Sequence, residues 1–166
     1  MKLKILSFNW HEPYMCLLAR IGHEFLIVEP EIAPGHYRRW DENMRPVPEN
    51  VCLITNETAQ EMLELGELDL IIAHNIKDLM AVKDYSLPKV VIFHNCLTTE
   101  IKLGKDKVNR KEYLKQINSL LKDVNKVFIS EKKRKDWGLD GELILPGLDV
   151  SEYGGYRGER ETVLQV

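Results

Sequence analysis

Seven short apolar runs constrain this chain more than any other feature. They are LKILSF (3–8), EFLIV (24–28), VCLI (51–54), DLIIAH (69–74), KVVIFHN (89–95), KVFIS (126–130) and ELIL (142–145). Several are apolar at successive positions rather than at alternate ones. A strand with one wet face alternates, so this pattern fits strands covered on both sides, as in a parallel sheet. Between the runs, Pro13–Ile21, Glu57–Leu65, Lys77–Lys83 and Lys107–Asp123 read as helices. Pro13 suits a first helical turn and Gly22 a helix end. In the long helix Leu114, Ile117, Leu121 and Val124 recur at three- and four-residue intervals as one buried stripe. Strands alternating with helices predict an α/β fold: a Rossmann-like, doubly wound, mainly parallel sheet with helices on both faces. It is expected to occupy residues 1–150.

Two segments stand apart. PEIAPGHYRRWDENMRPVPEN (30–50) holds four prolines and no sustained periodicity, and it is too long for a default connection. SEYGGYRGERE (151–161) reads as a linker, followed by TVLQV, the opening of another strand.

Composition enters mainly to exclude. With 44% hydrophobic and 30% charged residues, the chain has an ordinary globular balance. The N-terminus MKLKILSFNW lacks the apolar run and cleavage site of a secretory signal, and no apolar stretch is long enough to span a bilayer. Cys16, Cys52 and Cys96 are odd in number, widely spaced and set among apolar residues. They read as buried free thiols in a reducing compartment, so the expected location is cytoplasmic. The net charge of −3 hides an asymmetry: residues 100–135 carry twelve Lys/Arg against five Asp/Glu, the remainder eleven against twenty-one. On the Lys107–Asp123 helix, Lys107, Arg110, Lys111, Lys115 and Lys122 share one side. Such a face is either solvated surface or a peripheral contact with anionic lipid headgroups at the inner membrane face. Nucleic acid is not expected, because the region lacks interleaved aromatics and the whole chain is acidic.

Ligands of open α/β sheets bind beyond the carboxyl ends of the strands. That rule selects Asn9, Trp10, His11 and Glu12 after the first strand, His74 and Asn75 after the fourth, and His94 and Asn95 after the fifth. Ser130 and Glu131 end the sixth. Two strands, IIAHN and VIFHN, share the same His-Asn ending. If they lie near each other, two imidazoles and two amides converge, offering hydrogen bonds to phosphates or hydroxyls. Each His also has a plainer use, as a structural bond to a neighbouring loop. Trp10 either packs or offers a flat face to a sugar ring while Asn9 and Glu12 bind hydroxyls. No HExxH spacing or Cys cluster supports a metal site. No GxGxxG, Walker or GxSxG motif occurs, which argues against nicotinamide, flavin, P-loop and α/β-hydrolase chemistry.

With those residues in view, KVFISEKKRKDWGLDGELILPGLDVSEYGGYRGERETVLQV resembles the segment joining the two halves of GT-B glycosyltransferases of family 4. There a strand ending in Ser, a helix, and a strand leading to a Pro-Gly-x-Asp turn close the N-terminal domain. VFIS, EKKRKDW and LILPGLD match these parts, and DLIIAHN and PKVVIFHN match the family's His-ending strands. The resemblance implies the acceptor-side half of a retaining, metal-independent glycosyltransferase, with residues 151–166 leading into a C-terminal nucleotide-binding domain. A fragment of this size is then expected to be inactive alone. The resemblance also implies a nucleotide-sugar co-substrate, a glycan or lipid-linked acceptor, and no metal or other cofactor. Carried over, His94 faces the reaction centre as electrostatic support for a leaving diphosphate. Asn9, Trp10, His11, Glu12, His74, Asn75, Asn95, Thr98 and Thr99 fall on the acceptor side, and Ser130 faces the donor phosphates. The family's glycine-rich turn after the first strand is missing from SFNWHEP, which favours an acceptor role for that loop. Two other readings stay open: a stand-alone Rossmann-like binding module, and an epimerase-like enzyme. The latter would need carboxylates flanking the sugar, for which only Glu12 and Glu100 offer themselves.

Overall fold

The computed structural model describes residues 1–29, 39–103 and 108–148. Residues 30–38 of the proline-rich segment, Lys107, Asp149, the linker and TVLQV lie outside the described residues. Seven strands are present: β1 (Lys4–Phe8), β2 (Glu24–Val28), β3 (Val51–Ile54), β4 (Leu70–Ala73), β5 (Lys89–Phe93), β6 (Asn125–Phe128) and β7 (Glu142–Leu143). They form one sheet in the order β3-β2-β1-β4-β5-β6-β7, and every pairing is parallel. The expected Rossmann-like α/β architecture is what the chain adopts. Strand order reverses between β1 and β4, so a crevice opens there above the strand ends.

The helices are α1 (Glu12–Ala19), α2 (Asn56–Leu65), α3 (Ile76–Ala81), α4 (Leu97–Leu103), α5 (Arg110–Ile117) and α6 (Glu131–Trp137). Most starts are capped by the residue types that favour them. Thr55 accepts from the Thr58 N–H, Asn75 from Asp78, Asn109 from Glu112 and Ser130 from Lys133. At Asn109 the Glu112 side chain returns the bond, completing a capping box. Gly66 and Gly138 end α2 and α6 at φ values of 69° and 64°, a left-handed conformation that costs other residues a Cβ clash.

Residues of one parity on β1, β2, β4 and β5 (Ile5, Phe25, Ile27, Ile72, Ile92) pack beneath α1 with Met15, Ala19 and Trp40. The opposite parity carries two clusters. Leu6, Leu26, Val28 and Ile71 gather with Ala59 of α2. Ala73, Val91, Phe93 and Phe128 gather with Leu79, Leu97, Ile117 and Trp137. With helices on both faces, the central strands β1, β2, β4 and β5 are doubly covered, which is why their sequences do not alternate.

Three expectations need correction. The long helix Lys107–Asp123 is instead α5, Arg110–Ile117, followed by turns that end at Asp123 with φ 60°. Leu121 and Val124 are still buried, so the apolar spacing outlasts the helix that it resembled. The thiols are free but not buried: Cys16 and Cys96 are half-buried and Cys52 is exposed. Cys52 sits on β3, the edge strand beside β2. Finally, α4 was not expected, and its start is held from outside. The Asp136 carboxylate accepts from both the N–H and the hydroxyl of Thr98, at 3.0 Å each, while Arg110 bonds the Asp136 carboxylate and carbonyl.

Candidate functional site

The register of the sheet determines which strand-end side chains meet. Ser7 pairs with Ile72, and Ala73 with Val91, so Ser7, His74 and His94 project from the same face of three adjacent strands. Ser7 Oγ lies 2.9 Å from His74 Nε2 and 3.1 Å from the Ile72 carbonyl oxygen. His74 Nδ1 lies 3.0 Å from His94 Nε2. The His74 backbone N–H donates to the Asp78 carboxylate at 2.9 Å, fixing the strand end to α3. Ser7 and His74 are shut away from solvent, and His94 retains about 9% exposure.

Aromatic rings enclose this row. The Trp10 indole stacks on the His94 ring at 4.9 Å, inclined by 23°, and Tyr14 of α1 meets the same ring edge-on at 4.6 Å. Burial therefore dominates the electrostatics. It pushes His94 down to about 3, helped by the nearby Lys133 cation and by electrostatic coupling to His11. His74 is lowered well below the ordinary histidine range, first by burial and then by His94. Burial also raises the Tyr14 phenol. At pH 7 both imidazoles are neutral, so in the free protein His94 offers hydrogen bonding and not the charge foreseen for a leaving diphosphate.

The sign of the resulting pH dependence follows. Unfolded histidines take up protons near 6.5, whereas the folded pair resists until far lower pH, to about 3 for His94. Stability present at pH 7 is lost as pH falls from about 6.5 toward 3. The urea midpoint is expected to drop between pH 7 and pH 4.5, and to drop less in a His94→Gln variant. An equal drop in both would remove the pair from the acid sensitivity.

The other selected residues divide between rim and framework. His11 is exposed at the start of α1, and Trp10 is half-buried beside His94. Glu12 is fully buried, and its carboxylate accepts from the Asp41 N–H at 3.0 Å. Asn9 is also buried. Asn75 caps α3 through its side-chain oxygen. Asn95 donates to Glu100 at 2.8 Å, and its carbonyl accepts from Trp137 Nε1 at 2.9 Å. Thr98 is spent on Asp136, Thr99 is exposed, and Ser130 caps α6. Glu12 and Glu100 are thus engaged within the fold. Of the basic face, Lys111 and Lys115 are exposed while Arg110 pairs with Asp136 at 3.5 Å.

Ser7, Tyr14 and Trp137 were not foreseen. Ser7 alone carried a signal: a hydroxyl inside a strand covered on both faces needs a polar partner. A groove of about 1060 Å³ runs from Trp10, Asn75, Asn95 and Glu100 down between α3 and α5 toward Lys83 and Lys122. Among the described residues no three His, Cys, Asp or Glu side chains gather as a metal centre, and no helix is long and apolar enough to cross a membrane.

No protein-family model matches the sequence, and no curated protein matches it. The fold has a solved counterpart in Anabaena Alr3699/HepE, crystallised in complex with UDP and glucose. The likeness has a TM-score of 0.61 at 17% identity, covering 93% of this chain and 47% of that one. This chain therefore spans about half the length of that structural neighbour, and the shared feature is the Rossmann-like α/β fold.

Proposed function

We propose that this chain is the acceptor-side lobe of a glycosyltransferase that uses a nucleotide sugar. The observation that carries the reading is the crevice at the β1/β4 reversal, where an indole and a pair of contacting imidazoles meet. The fold match to half of a structure holding UDP and glucose supports it. So does the Pro-Gly-x-Asp segment resembling family 4. In this reading Trp10 gives a sugar ring a flat apolar face. His94 hydrogen-bonds a ligand hydroxyl from the neutral state, and Asn95 and His11 line the same rim. The groove beside Trp10 gives the acceptor room. Transfer with retention, without a metal, is the chemistry the family resemblance favours, with the donor held mainly by a second lobe. Lys111 and Lys115 remain available to an anionic lipid surface.

A second reading is a binding lobe with no catalysis of its own. It is favoured by the neutrality of His94 and by the engagement of Glu12 and Glu100 within the fold. Titrating the intact protein with UDP-glucose while following backbone and side-chain NMR shifts tests the site itself. Saturable shifts are expected at the Trp10 indole N–H, the Asn95 amide and His94. Shifts confined to the opposite end of the sheet, around Gly22 and Gly66, or no shifts at all, would count against it.

A further inference from the structure

We propose that Ser7 and His74 are positioning residues that hold His94 in its Nε2–H tautomer, so that Nδ1 offers the crevice a lone pair and not a proton. A serine hydroxyl has a single proton to donate. Ser7 Oγ lies 3.1 Å from the Ile72 carbonyl oxygen, which can only accept, so that proton goes there. The remaining contact of Oγ, with His74 Nε2 at 2.9 Å, then needs an N–H on the ring. A neutral imidazole carries one proton, so His74 Nδ1 is bare and accepts from His94 Nε2–H at 3.0 Å. His94 Nδ1 is left unprotonated.

The opposite polarity is chemically complete but requires Ser7 to withdraw its proton from Ile72. His74 Nε2 would then accept, His74 Nδ1–H would donate, and His94 would turn an Nδ1–H outward. One buried hydroxyl thus decides whether the rim histidine accepts from a hydroxyl of a ligand or donates to a phosphate oxygen. The row holds this setting because it is enclosed. Trp10 and Tyr14 pack on the His94 ring, Asp78 fixes the His74 backbone, and the Lys133 cation facing His94 opposes a second proton on it. Burial keeps both imidazoles neutral at pH 7, with a single proton on each ring.

The use of the lone pair rests on the transferase reading above; the tautomer does not. The test is a long-range proton–nitrogen correlation spectrum of the protein labelled with ¹⁵N-histidine, at pH 7. Both imidazoles are expected as Nε2–H forms, with His94 Nδ1 at the shift of an unprotonated nitrogen. Ser7→Ala removes the acceptor for His74, and the Nε2–H to Nδ1–H ratio at His94 is expected to fall about fivefold, the worth of one ordinary hydrogen bond. Ser7→Thr keeps a hydroxyl and is expected to keep the wild-type pattern. An Nδ1–H signal at His94 in the unsubstituted protein overturns the proposal without any variant having to fold. So does a Ser7→Ala spectrum with an unchanged ratio. Neither readout needs a sugar nucleotide, so failure of every nucleotide sugar to bind or turn over would remove the transferase reading and leave this result standing.

Discussion

Replacing Trp137 with alanine is expected to destabilise the protein by about 3–5 kcal/mol, the range for deleting a large aromatic side chain from a packed core. Trp137 is only 1% exposed, and its ring lies 4.1 Å from that of Phe93, which in turn stacks on Phe128 at 5.0 Å. Its indole N–H also donates to the Asn95 carbonyl, so alanine leaves both a cavity and a buried carbonyl without that donor. For a domain of ordinary stability, about 5–15 kcal/mol, this loss is a large fraction of the whole. Trp137→Phe keeps most of the ring contact and removes the bond to Asn95, so it should cost about 1–3 kcal/mol. Urea unfolding of both variants checks the pair. Equal losses would show that the hydrogen bond, and not the packed ring, carries the effect. The consequence reaches the site, because Asn95 directly follows His94.

His94→Ala is the second large expectation. In the intact protein, with whichever nucleotide sugar supports turnover, it should lower the rate of transfer at least about tenfold, about 1.4 kcal/mol, the upper end for one ordinary hydrogen bond. Alanine also strips His74 of its partner, so a loss of rate could reflect local collapse. Two substitutions separate the causes. Glutamine places its amide near the Nε2 position and can keep the contact with His74 while losing Nδ1. Asparagine places its amide near Nδ1 and loses the contact. If the outward nitrogen does the chemistry, His94→Gln is as slow as alanine while its thermal midpoint stays closer to that of the unsubstituted protein. Full activity in the glutamine variant would exclude Nδ1 from the reaction.

The sheet was legible in the sequence because parallel strands buried on both faces leave short runs of consecutive apolar residues, here rich in Ile, Val and Phe. The two His-Asn endings could meet only if their strands were neighbours, as the sheet order makes β4 and β5, and the parity of Ser7, His74 and His94 places all three on one face. Their contact could not be read, since it depends on a register set only when β1 joins β4. Elements fixed by distant partners were the hardest to see. The start of α4 depends on Asp136, thirty-eight residues away, and carries no capping residue of its own that uses its side chain. Glu12 looked like a hydroxyl binder until the Asp41 N–H claimed it. Spacing misled where burial continued without helix: Leu121 and Val124 keep the stripe of α5 going after the backbone has turned away.

The central claim is that this lobe belongs to a protein that moves a sugar from a nucleotide. The most direct measurement is the release of nucleoside diphosphate from nucleotide sugars by the intact protein, across uridine, guanosine and adenosine donors. The account predicts release that depends on the donor and falls when His94 is replaced. No release from any donor, or release indifferent to His94, would contradict it.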